Sequence, residues 1–371
     1  MQPNSRIYHL DALRCFCMVF GLMVHGATIG NTWPFEAIKE ISGHFRMSTF
    51  FLVSGFFTAM VATRSKFGAY VRNRSRLVLV PLVAGLLLLN PITNWLIQLF
   101  HGGGIGFADY FFRGGWRLPV PGTGVWHLHL WFLFSLFAYA MLTPAMLAVG
   151  NSVFFTRWLG HYLNVSGRAA LFGVAIAMGV AVVILRAVND QLVSPLMPES
   201  FAYIAMATLS YMPYFGIGVL AFTQRRLYTA LHSLFWPGLL LFGGIYAAHA
   251  FYADDLPRVL ERAMLWVGRT GFIFLIVCAL LAITERLVKK GSPKLTALTD
   301  GVYSFYMFHF LVIYLVANAV GQLTNNLGII FMAILIIGYP VLFWVHRRLI
   351  VPSATLTLLF NGKRAKTAVA A

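Results

Sequence analysis

Two polar residues interrupt the first long apolar stretch of the chain, LDALRCFCMVFGLMVHGATI at 10–29: Arg14 and His25. Eleven helical steps return to nearly the same face and climb about 16 Å. One stripe of one helix therefore carries a permanent cation at one depth and a titratable base at another. Ionisable groups inside an apolar span are costly and mark functional sites facing the protein interior. The bland counterpart is an Arg14 that snorkels to the headgroups and a His25 that makes one structural hydrogen bond.

Further basic and imidazole groups lie near the ends of later apolar runs. The segment AYVRNRSRLVLVP places Arg72, Arg74 and Arg76 together with no acid among them. On a helix Arg72 and Arg76 share a face, and guanidinium groups bind phosphate in a bidentate fork, so the group suits a polyanion. An ordinary positively charged loop beside anionic lipid gives the same pattern. GHFRMSTFFLVSGFF supplies His44, Arg46 and Ser54, WHLHLWFLF supplies His127 and His129, and YSFYMFHFL supplies His309. His127 and His129 are two apart and diverge on a helix, a poor metal pair. Histidines at spans 1, 2, 4 and 9 together point to a shared polar cavity.

The elements that position these groups are membrane helices. The chain has 371 residues, 59% hydrophobic and 11% charged, where an average soluble domain is about a quarter charged. It reads as an all-α, polytopic integral membrane protein. The expected spans are 10–29, 46–63, 77–100, 126–149, 169–188, 202–222, 233–252, 266–284, 301–319 and 327–346, each near the length a bilayer requires. Asn90-Pro91 predicts a kink or early end in the third. Gly243-Gly244 and His249 make the seventh the weakest.

Ten spans put both termini on the same side. Setting them in the cytoplasm gathers most of the 28 basic residues inside, including Arg6, the run Arg64 to Arg76, Arg225, Arg226, Arg286, Lys289, Lys290, Arg347, Arg348 and Lys366. Asp254, Asp255 and Glu261 then fall outside, as the positive-inside rule asks. The net charge of +17 follows from this topology, and no nucleic-acid partner is implied. Residues 1–350 read as one membrane domain and 351–371 as a short basic cytoplasmic tail, partly ordered against the membrane surface or disordered. Cys15, Cys17 and Cys278 lie in apolar runs and read as buried small hydrophobes. The first apolar run is long enough to span and shows no cleavable leader pattern.

The spacing Arg14-x10-His25 on a span headed by LDALR resembles acyltransferase family 3. FRMSTFFLVSGFF, NRSRLVLVP, HLWFL at 129–133 and YSFYMFH at 303–309 follow in the family's order. The resemblance covers about residues 7–350, and the FRM…FFLVSGF and HLWFL wording is most similar to the glucan biosynthesis protein C branch. It implies a multi-pass enzyme of the bacterial inner membrane that transfers an acyl group, succinyl or acetyl, from cytoplasmic acyl-CoA to a hydroxyl of an extracytoplasmic glucan or other polysaccharide. His25 is then the expected general base, its ordinary pKa of about 6.5 suiting neutral conditions. Arg14, Arg72, Arg74 and Arg76 are expected on the acyl-CoA phosphates. Arg46, Ser54 and His309 are candidates to stabilise the oxyanion. Acyl-CoA is the co-substrate, no metal is expected, the partners are a carbohydrate acceptor and membrane lipid, and no oligomeric state is implied. The competing class is a transporter or flippase that moves an acyl donor or glycan without chemistry, against which stands the lack of an internal repeat.

Overall fold

The computed structural model describes residues 7–117 and 126–364. Arg6, Lys366 and the second half of the Gly/Pro-rich loop fall outside them. Among the described residues every regular element is helical: α1 Tyr8–Gly26, α2 Trp33–Gly43, α3 Arg46–Ala62, α4 Phe67–Ala84, α5 Asn90–Gln98, α6 Phe107–Phe112, α7 Trp131–Gly150, α8 Val153–Ser166, α9 Ala170–Val188, α10 Glu199–Thr223, α11 Arg225–Leu231, α12 Trp236–Tyr252, α13 Arg258–Leu287, α14 Pro293–Gly321, α15 Leu327–Trp344 and α16 Ala354–Asn361.

Nine helical runs among the described residues are long and apolar enough to cross a membrane. The stretch expected as the seventh span, weakest in the sequence, is a pair of helical segments, Arg225–Leu231 and Trp236–Asp255, bent by 69°, which makes a tenth crossing only if the pair is one broken span rather than a re-entrant loop. The chain is thus a multi-pass α-helical membrane protein. The expected break at Asn90-Pro91 takes the form of a π-helical turn over Gly85–Leu89, after which α5 begins with its proline in the first turn. Proline lacks the N–H that the preceding turn would bond, and a widened turn absorbs the mismatch without ending the helix. Four helices occupy stretches expected to be loops: α2, α6, α8 and α11.

The chain divides into two compact units. The first comprises residues 1–17, 43–70 and 138–292, the second 18–42, 71–137 and 293–371. In the first, α3 and α10 approach backbone to backbone. A methyl group on Gly55 would strike the Phe215 carbonyl, and one on Gly218 the Leu52 carbonyl. Small residues at a crossing let apolar helices pack closely in lipid, where dispersion rather than water exclusion holds them together. Gly179 meets Val267 in the same manner, and Gly268 and Gly271 admit Ile245 and Phe242.

In the second unit the core is built from Leu22, Phe310, Ile313, Tyr314, Ile330 and Ile334. Polar ties cross it: Tyr339 donates to the Val19 carbonyl at 2.7 Å, and Asn318 to the Leu96 carbonyl at 2.9 Å. The start of the tail is packed here. Phe360 and Asn361 of α16 are buried, and Ser304 donates to the Asn361 side chain at 3.0 Å. Gly362 closes the helix with φ of +64°, and any side chain there would meet the backbone of Arg76 and Leu77.

Candidate active site

Three imidazoles from distant parts of the chain meet in the second unit. The His25 ring lies 5.0 Å from His309 and 6.5 Å from His129, and His129 lies 4.6 Å from His309. Phe310 backs the group, 4.5 Å from His25 and stacked on His129 at 5.0 Å. His129 and His309 are almost fully buried.

Each ring is aimed by its local backbone. His25 lies in the last turn of α1, just before the helix tightens into a 3-10 turn over Ala27–Ile29. Thr28 Oγ1 donates to the His25 carbonyl at 2.6 Å. His309 Nδ1 is 2.7 Å from the Tyr306 carbonyl one turn back. A carbonyl only accepts, so Nδ1 carries the proton and Nε2 presents its lone pair. His129 sits in a 3-10 turn, Leu128–Leu130, entered through Leu128 at φ of +50°. A leucine rarely adopts that backbone, and such strain persists only where surroundings impose it. Here Asn90 and Asn94, one turn apart on α5, both donate to the Trp126 carbonyl at 3.1 and 3.2 Å and pin the approach. Tyr306 donates to the His129 carbonyl at 2.9 Å. His127 turns away and is wholly buried, its Nδ1 3.1 Å from the Leu128 carbonyl.

A hydrogen-bonded chain leads out from the His25 backbone carbonyl. The one proton of Thr28 is given to that carbonyl, so Tyr314 donates to Thr28 at 3.1 Å. The Tyr314 oxygen then accepts from His101 Nε2 at 3.4 Å. His101 lines a cavity of about 420 Å³, together with Phe100, Asn318, Gln322, Thr324 and Asn325. Neutral amides, a hydroxyl and an aromatic face are the donors, acceptors and platform that a polyhydroxylated, uncharged ligand requires.

The other residues expected from sequence are divided between the two units. Arg14 is on the same helix as His25 but in the first unit, 3.9 Å from Asp11, with Phe57 and Phe50 rings 5.5 and 5.8 Å from its guanidinium carbon. Arg72 is exposed on α4. Arg76 is partly committed to structure, donating to the Gly362 carbonyl at 3.2 Å and to Asn73 at 3.0 Å. Arg46 opens α3 in the first unit. Ser54 is buried in α3 of that unit. His44 departs from the expected gathering of histidines: it packs in the first unit against Tyr246 and Phe272 at 5.7 and 5.8 Å. The relay through Thr28, Tyr314 and His101 escapes sequence reasoning, because its members carry no motif. His129 stands within the HLWFL segment, yet its place beside His25 and His309 emerges only from the fold. Arg186, which stacks 3.7 Å from the Trp266 ring and donates to Ser210 at 3.0 Å, is likewise invisible in sequence.

The family model for the acyltransferase domain of acyltransferase family 3 matches residues 7–345. The chain is also similar to proteins called glucans biosynthesis protein C from Escherichia coli SMS-3-5, from Escherichia coli O157:H7 and from Escherichia coli K12. Each is 24% identical over 388 residues, covering 97% of this chain and 96% of the relative. No solved structure matches. With the match running through the helices that carry His25, His129 and His309, the chain belongs to acyltransferase family 3.

Proposed function

We propose that this membrane acyltransferase moves a short acyl group, succinyl or acetyl, from cytoplasmic acyl-CoA to a hydroxyl of an extracytoplasmic glucan or related polysaccharide, with His25 as general base. The observation that carries the reading is the position of His25. It sits among the imidazoles of His129 and His309, one turn from the relay that ends in a polar cavity.

In this reading His25 takes the proton of the acceptor hydroxyl as its oxygen attacks the thioester carbon. The tetrahedral intermediate expels the CoA thiolate, which recovers that proton from the imidazolium. His309, with Nδ1–H given to Tyr306, offers a lone pair at Nε2 and suits orienting the base better than donating to an oxyanion. The cavity beside His101 is assigned to the carbohydrate. Arg14, Arg72, Arg74 and Arg76 are assigned to the phosphates of the donor. Both termini lie in the cytoplasm of a bacterial inner-membrane protein, which puts the C-terminal end of α1 and His25 towards the outer face.

The test uses purified full-length protein with acetyl-CoA and succinyl-CoA, following free thiol with and without a glucan acceptor. Acceptor-dependent thiol release names the donor and supports the reading. Bound but uncleaved acyl-CoA with every acceptor contradicts it and favours a carrier.

A further inference from the structure

The first unit holds a second group of titratable side chains that the acyl-transfer chemistry does not use. His9 lies in the first turn of α1, His232 in the short break between α11 and α12, and Glu285 in the last turns of α13. One ligand atom from each lies within 4.8 Å of the other two. The two imidazoles meet edge to face with centroids 5.3 Å apart.

A backbone hydrogen bond fixes where the His232 lone pair goes. His232 Nδ1 lies 2.8 Å from the Tyr228 carbonyl, so Nδ1 carries the proton. Nε2 is then left with a lone pair, buried and without a hydrogen-bond partner among the described residues. A backbone carbonyl that holds one imidazole nitrogen while the other faces an open position is the support seen behind metal-bound histidines. The Tyr228 hydroxyl, 2.9 Å from His9 Nε2, steadies the second ring.

We infer that His9, His232 and Glu285 form a site for a divalent zinc-like ion, which ties the start of α1 to the α11–α12 break and the end of α13. Two imidazoles and a carboxylate are a ligand set that zinc accepts, with a fourth position left for water. Zinc–nitrogen and zinc–oxygen bonds of about 2.0–2.2 Å bring ligand atoms to roughly 3.4 Å apart. Binding therefore draws the group inwards, and Glu285, exposed to solvent, is the member able to swing. No spaced motif announces the site, because its ligands come from three widely separated segments. The inference stands independently of the acyl-transfer reading.

The test uses full-length protein carrying no histidine tag, stripped with chelator, re-equilibrated with zinc and washed on a sizing column. The wild type is expected to retain about one zinc per chain, to melt at a higher temperature with zinc, and to show visible tetrahedral bands with cobalt. His9→Ala, His232→Ala and Glu285→Gln should lose the retained metal and the shift in melting temperature, whereas His25→Ala should keep both. If His232→Ala does not run as a single folded species, His9→Gln and Glu285→Gln carry the test. A folded wild type that retains no zinc overturns the inference. So does zinc that survives in the His9 and Glu285 variants or is lost in His25→Ala, which would place the metal among the other histidines.

Discussion

His25 and His309 meet with ring centroids 5.0 Å apart, although one lies in the last turn of α1 and the other in the middle of α14. His309 is held by its Nδ1 proton to the Tyr306 carbonyl, which leaves the lone pair on Nε2. In the proposed mechanism His25 is the base and His309 the group that orients it. His309→Ala is expected to lower kcat about a hundredfold, the cost of a misaligned reacting group, with little change in KM for either substrate. His309→Gln, which keeps an acceptor, should recover part of the rate. A change confined to KM would remove His309 from this role.

The hydrogen-bonded chain from the His25 carbonyl to the cavity makes a separate expectation. Tyr314→Phe removes the hydroxyl that joins Thr28 to His101. Acceptor KM should rise several-fold, while slow hydrolysis of acyl-CoA without acceptor is unchanged. Steady-state kinetics with the acceptor varied decide it, and an unchanged acceptor KM argues against the cavity as the carbohydrate site.

Arg72 is the exposed member of the basic group on α4. If it holds a CoA phosphate, Arg72→Ala loses a charged hydrogen bond of about 1.5–2 kcal/mol, a ten- to thirtyfold rise in KM for acyl-CoA. The defect should shrink as salt rises, because screening weakens the wild type more than the variant. Equal donor KM in the two proteins would make Arg72 a topological charge only.

The glycine crossing of α3 and α10 sets a stability prediction. Gly218→Ala drives a methyl group into the Leu52 carbonyl, and overpacking of this kind costs about 1–3 kcal/mol. Gly216, on the same helix with open space where an added methyl would stand, is the matched control. Thermal melting in detergent should show a clear loss for Gly218→Ala and little for Gly216→Ala.

The membrane helices were legible because hydropathy is a local property: each apolar run declares itself without reference to its neighbours. Gly243-Gly244 and His249, which weaken the seventh run in sequence, lie within the unbroken helix α12, and the bend falls instead at His232 to Phe235, where no sequence signal was read. Helix α2 was hidden because eleven residues are too few to span and lie between two spans. The candidate site was legible only in part. Arg14 and His25 share one helix, so their spacing is visible in one dimension. The approach of His129 depends on a positive φ at Leu128, which a leucine does not announce as a glycine would. The placing of His44 and Arg46 in the first unit follows from tertiary packing, which no motif encodes.

The most direct measurement of the central claim is transfer of radiolabelled acyl groups from acyl-CoA to a glucan acceptor by the wild type and by His25→Ala, with acyl-CoA binding measured on the same preparations. The account predicts that His25→Ala binds acyl-CoA normally and forms product more slowly by a factor of about 10²–10⁴, the share of general base catalysis. Product formed by His25→Ala at the wild-type rate would contradict it.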